Sequence, residues 1–237
     1  MTTEPEPVTL FPRIPHAAVV TTIAVALVWV FAVGSVISRH NRMPARTRDL
    51  PIPSLPQRPV MQLAFARSQA DVNAILELKE QSVTKEATEA NIKSVTRGNE
   101  LDSWYLVPGY VVLLVALTLL IARGSDDEAW WLFRAGVVLV LVLALADLAE
   151  NFGIARVLTF AGKNEDAATW ARLLMVASAF VKWTALGLIG LGLGVVTSLQ
   201  QQTRRPWLTA LLLIAGVWML ATVGRHVVGL LPVTPRS

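Results

Sequence analysis

Apolar residues in this chain come in long unbroken runs rather than at a period of two or of 3.6. Five runs stand out, at residues 17–37, 104–122, about 130–154, about 171–199 and about 207–231. A helix of about 20 residues crosses the hydrocarbon of a bilayer. There, only a helix satisfies every backbone group within one segment. The pattern therefore predicts an all-α, polytopic transmembrane helix bundle of about five spans. Aromatic residues mark the edges: Trp104 and Tyr105, Trp130 and Trp131, Trp170 and Trp207. Such rings favour the headgroup level. The first run is preceded by a segment whose only basic side chain is Arg13, a poor start for a cleaved signal. It is expected to stay as a helix.

Between the first two runs lies the only sizeable polar segment, residues 38–103. Its first part is basic and holds four prolines from Pro51 to Pro59, the signature of an extended tether. From Val60 to about Thr96 there is no Pro or Gly, and helix formers dominate. Ser68 or Asp71 is placed to cap a break in that stretch. Met61, Phe65, Val72, Ile75, Leu76 and Val83 recur on roughly one helical face. That face would be buried on the membrane surface or across the mouth of the bundle; the alternative is a solvated helical hairpin. The expected organisation is a short tail (1–16), a first transmembrane helix (17–37), the tether with its amphipathic segment (38–103), a four-helix transmembrane bundle (104–231) and a C-terminal tail (232–237).

Composition fits this picture: 54% of residues are hydrophobic, 16% are charged, and mean hydropathy is +0.52. The net charge of +4 does not point to nucleic acid, because Arg and Lys gather beside the apolar runs. The absence of Cys excludes disulfides, thiolate metal sites and a Cys nucleophile. Arg39, Arg42, Arg46, Arg48, Lys93, Arg97, Arg156, Lys163 and Arg236 fall on one side of the bundle. Arg13, Arg123, Arg204 and Arg205 fall on the other, with Asp126, Asp127 and Glu128. The bias predicts a multi-pass protein of the cell (inner) membrane, N-terminus out and C-terminus cytoplasmic.

The third run turns polar near its end, at Asp147, Glu150 and Asn151. Offsets of three and four put all three on one helical face. An ionised carboxylate near the centre of a spanning helix costs roughly 2.5–3.5 kcal/mol, so the group should face protein or water. Alternating helix directions bring Asp102, Lys182, Arg225 and His226 into the same half of the bundle. The expected cluster is thus Asp102, Asp147, Glu150, Asn151, Lys182, Arg225 and His226. It either ties helices in register or binds an ion, a proton or a polar headgroup.

Gly187, Gly190 and Gly194 form a small-residue stripe on the fourth run, suited to close helix packing within the chain or between copies. Arg134 is expected to reach the headgroups or Asp126 and Asp127, and Pro108 with Gly109 to bend the second span. No Gly-x-Ser-x-Gly, Walker A loop, dinucleotide fingerprint or His-Glu-x-x-His occurs. The three histidines lie in separate regions, so no metal, haem or other cofactor is implied.

LDSWYLVPGY at 101–110, ADLAEN at 146–151 and QLAFARSQADVNAIL at 62–76 together resemble a loosely defined group of uncharacterised bacterial membrane proteins. In that group an Asp-x-x-Glu-Asn motif closes an inner helix. The resemblance brings no activity with it and implies only that Asp102, Asp147, Glu150 and Asn151 share a site. Trp104 and Tyr105 stand where Phe is more usual. Three functions are consistent with these residues. The foremost is a non-enzymatic structural or accessory component of a membrane complex, with the bilayer and a protein partner or second copy as neighbours. A small carrier of protons or cations using Asp147 and Glu150 comes next. A lipid-modifying enzyme with Glu150 as acid/base comes last.

Overall fold

The computed structural model describes residues 14–40, 59–66, 68–76, 84–123, 129–161, 169–199 and 206–230. Every regular element among them is helical. They are α1 (His16–His40), α2 (Pro59–Ala64), α3 (Gln69–Leu76), α4 (Lys85–Leu101), a π-helical turn (Asp102–Leu106), α5 (Val107–Ala122), α6 (Ala129–Ala161), α7 (Thr169–Leu199) and α8 (Pro206–Leu230). Four stretches are long and apolar enough to cross a membrane: α1, the continuous Lys85–Ala122 helix, α6 and α7. The fifth apolar helix is α8, at 25 residues. The chain is an all-α multi-pass bundle.

The spans pack as a row in chain order. Helix α5 lies on α1, α6 on α5, α7 on α6 and α8 on α7. Among the described residues α8 touches α7 alone. From α5 onward, short connections between long helices make each span the neighbour of the next. Outward faces of the row carry large apolar side chains, including Phe31, Leu145, Leu173, Ile214 and Trp218, as a lipid-facing surface should.

Two spans are longer than the sequence pattern predicts. The second does not start at Trp104 but continues the helix begun at Lys85, so a boundary at 103/104 falls inside one element. The third does not stop at Ile154 but runs to Ala161. Polar residues such as Asn91 and Asn99 hid the first extension, although helix propensity tolerates them where packing decides. At 33 residues α6 is about 50 Å long, well beyond the ~30 Å of hydrocarbon.

That surplus is covered by the segment between the first two spans. Helices α2 and α3 pack with α4 against the adjoining ends of α6 and α7. Leu63, Val72, Ile75, Leu76, Val95, Ile154, Val157 and Met175 are fully buried in one apolar core there. The solvated hairpin is thereby overturned: Phe65, Val72, Ile75 and Leu76 are buried, and Met61 is partly so. Val83 lies outside the described residues. Leu63 and Ala64 join this core from outside the expected stripe, because α2 is enclosed on more than one side. The break falls between the end of α2 at Ala64 and the start of α3 at Gln69. There the Asp71 N–H donates to Ser68 Oγ at 3.1 Å and the Ser68 N–H to Asp71 Oδ2 at 3.0 Å. This reciprocal capping box starts α3.

The glycine stripe of α7 is used within the chain. A Cβ on Gly190 would lie 3.1 Å from Gly216 Cα on α8, and one on Gly216 would lie 2.7 Å from the Leu191 backbone nitrogen. Gly187 and Gly194 meet Leu220 and Leu213 in the same interface. Backbones that approach this closely gain dispersion contacts in a medium where the hydrophobic effect between spans is absent.

Candidate functional site: a buried carboxylate and amide network

Asp147 lies roughly four turns from the C-terminal end of α6, and Lys182 roughly four turns from the N-terminal end of α7. Antiparallel packing sets them at one level. Lys182 Nζ donates to Asp147 Oδ1 at 2.6 Å and to Glu150 Oε1 at 3.2 Å. The carboxylate side chains are 3% and 4% exposed, so these are buried ion pairs rather than surface ones. Asp147, Glu150 and Asn151 share the inner face of α6, while Leu145, Leu148 and Phe152 point outward.

The second span supplies the rest. Tyr110 donates its hydroxyl proton to Asp147 Oδ2 at 2.7 Å. Asn151 Nδ2 donates to Asp102 Oδ2 at 2.9 Å, and Asn99 Nδ2 to the Asn151 carbonyl at 2.9 Å. The π-helical turn makes this convergence possible. Pro108 has no N–H for the Trp104 carbonyl and would clash with it in a regular helix. The chain widens instead, and the Val107 N–H bonds back five residues to the Asp102 carbonyl. In an unbroken α-helix Tyr110 would stand about 80° around the axis from Asp102; one extra residue in the turn returns it to within about 20°. The bend expected at Pro108 and Gly109 thus takes the form of a wide turn. Gly109 admits the Trp29 ring, since a Cβ there would sit 2.5 Å from Trp29 Cδ1. The Trp29 indole N–H donates to the Tyr105 carbonyl at 2.9 Å, tying α1 to the turn.

Of the expected residues, Asp102, Asp147, Glu150, Asn151 and Lys182 come together. The side chains of Arg225 and His226 lie outside the described residues, as do Asp126 and Asp127, the expected partners of Arg134. Tyr110 and Asn99 belong to the network and carried no sequence signal of their own. A wide turn between Asp102 and Tyr110 cannot be counted from spacing, and Asn99 read as part of a loop.

Among the described residues, charge and hydrogen bonding are both incomplete: three buried or half-buried carboxylates face one ammonium. Glu150 Oε2, Asn99 Oδ1 and Asn151 Oδ1 are buried acceptors without a hydrogen bond, and neither amide atom of Asn91 has one. Buried polar atoms are nearly always paired, so such a group is exceptional. Among the described residues no three His, Asp or Glu side chains converge as a metal-ligand set. Three cavities lie away from the network. One of about 120 Å³ between α5, α6 and α7 is lined by apolar residues and Thr118. Two shallower grooves run along α1 and α5.

No family model, no curated protein and no solved structure matches the chain.

Proposed function

We propose that this multi-pass membrane protein binds an exchangeable proton in the network of Asp102, Asp147, Glu150 and Lys182, as a small proton carrier or proton-coupled component would. The observation that carries this reading is the excess, among the described residues, of carboxylate over ammonium in a buried site. Uncompensated buried charge is costly. A proton on one carboxyl group lowers that charge, and the unbonded oxygens of Glu150, Asn99 and Asn151 offer acceptors for it. Basic residues after α1 support an orientation with the α2–α3 side in the cytoplasm of a cell membrane.

Infrared difference spectra of the full chain in vesicles, between acid and alkaline buffer, test this. The expected result is a carboxyl band that titrates and that is lost or shifted in Glu150→Gln or Asp102→Asn. A titrating carboxyl band that is the same in wild type and in both variants overturns it.

A second reading has its own observation. Lys182 bridges two carboxylates of α6, so the network also suits a lock that holds α6 to α7 in a structural or accessory protein. It expects every single neutralisation in the network to destabilise. A lipid-modifying role draws no support from the three cavities, which are lined by other residues.

A further inference from the structure

The inward face of α4 carries more polarity than the site needs. Asn91, Gly98 and Asp102 fall within about 40° of one another around the helix, at offsets that repeat every three to four residues, and Asn99 stands about 60–100° to one side of them. Asn91 is fully buried and makes no hydrogen bond through either amide atom. It lies about two turns before Asn99, about 12 Å farther from the carboxylates. Asn99 is 5% exposed, hydrogen-bonded on one side to the Asn151 carbonyl, and free at Oδ1. Between them stand Gly98, which brings no side chain, and Val95, which is fully buried in the core shared with Leu63 and Ile75. An apolar residue at 91 would stabilise this core at no polar cost. The buried amide is left with a donor and an acceptor that a water molecule would satisfy.

We propose that this face of α4 is the proton's path between the α2–α3 side and the carboxylate network, with water relayed along Asn91 and Asn99 to Asp102 and α2–α3 closing the outer end. The path rests on the proton-binding reading above. It gives that site an opening to one side, the condition for one-sided access. The charged and titratable groups facing its inner end are Asp102 from the π turn, Tyr110 from α5, Asp147 and Glu150 from α6, and Lys182 from α7.

The test is the rate at which the buried carboxyl groups exchange hydrogen for deuterium after a switch to heavy water, read from the isotope shift of their infrared band in the full chain. Asn91→Leu should slow exchange by about tenfold or more, since a proton must then pass an apolar barrier. Its equilibrium band should keep the wild-type position and amplitude. Asn91→Ser should restore the rate, and Lys93→Leu, on the exposed face of α4, should not change it. If Asn91→Leu fails to fold, Val95→Ser serves instead and should speed exchange. Unaltered rates in Asn91→Leu, or in Val95→Ser, overturn the path while leaving the proton site standing. A carboxyl band unchanged by Glu150→Gln and by Asp102→Asn overturns the site and the path together.

Discussion

Lys182 and Glu150 show how one buried pair can hold two different stability signs. Among the described residues Lys182 is the network's only ammonium, and replacing it by Met removes the ion-pair partner of Asp147 and Glu150. Lys182→Met is expected to lose about 3–5 kcal/mol, the usual cost of removing one partner of a buried pair. Glu150→Gln removes one of the surplus carboxylates while keeping an acceptor for Lys182, so its unfolding temperature should equal or exceed that of wild type. Thermal unfolding in detergent reads both. A Glu150→Gln protein as damaged as Lys182→Met would favour the lock over the proton site. In the double variant the two effects should not add, since the residues touch.

Among elements, the α7–α8 interface and the start of α3 make the sharpest claims. Gly216 faces the Leu191 backbone, which no rotamer change can move aside. Gly216→Leu should cost at least about 1–3 kcal/mol through forced separation of the helices, whereas Gly192, with nothing within 4 Å of an added Cβ, should accept Ala within about 0.5 kcal/mol. Comparison of the two unfolding temperatures checks the interface against simple helix propensity. At α3, Ser68→Ala removes the acceptor of the Asp71 N–H and should cost about 0.5–2 kcal/mol. Because α3 covers the ends of α6 and α7, faster backbone amide exchange should appear there in Ser68→Ala. Loss confined to α3 would mean that the cap packs independently of the spans.

For the whole molecule, the question is which side the α2–α3 cap occupies. The absence of cysteine makes the natural chain a ready background for single-cysteine labelling. With the N-terminus outside, Asp126→Cys should react with an impermeant thiol reagent applied to intact cells. Thr47→Cys should react only in inverted vesicles. The reverse pattern would put the cap outside and turn the proposed path toward the exterior.

The spans, their number and the inward face of α6 were legible in the sequence, because length and hydropathy alone decide what a bilayer accepts. So was the pairing of Asp147 and Glu150 with Lys182, since alternating helix direction puts them at matching depth. A cap at Ser68 or Asp71 and the small-residue stripe on α7 were likewise written in local spacing, while the structure shows the two residues capping together. What only the tertiary structure decided is where each of these faces goes. The stripe of α7 closes on α8 through Gly216. The amphipathic segment becomes a buried cap because α6 runs on to Ala161 and offers it an apolar surface. Tyr110 and Asn99 join the carboxylates because a wide turn at Pro108 resets the face of α5, and an unbroken α4 carries Asn99 to the level of Asn151. Sequence spacing assumes one periodicity throughout. A single added residue in one turn rotates everything beyond it, and Pro108 by itself marks a disturbed helix without saying that a wide turn, rather than a kink, resolves it.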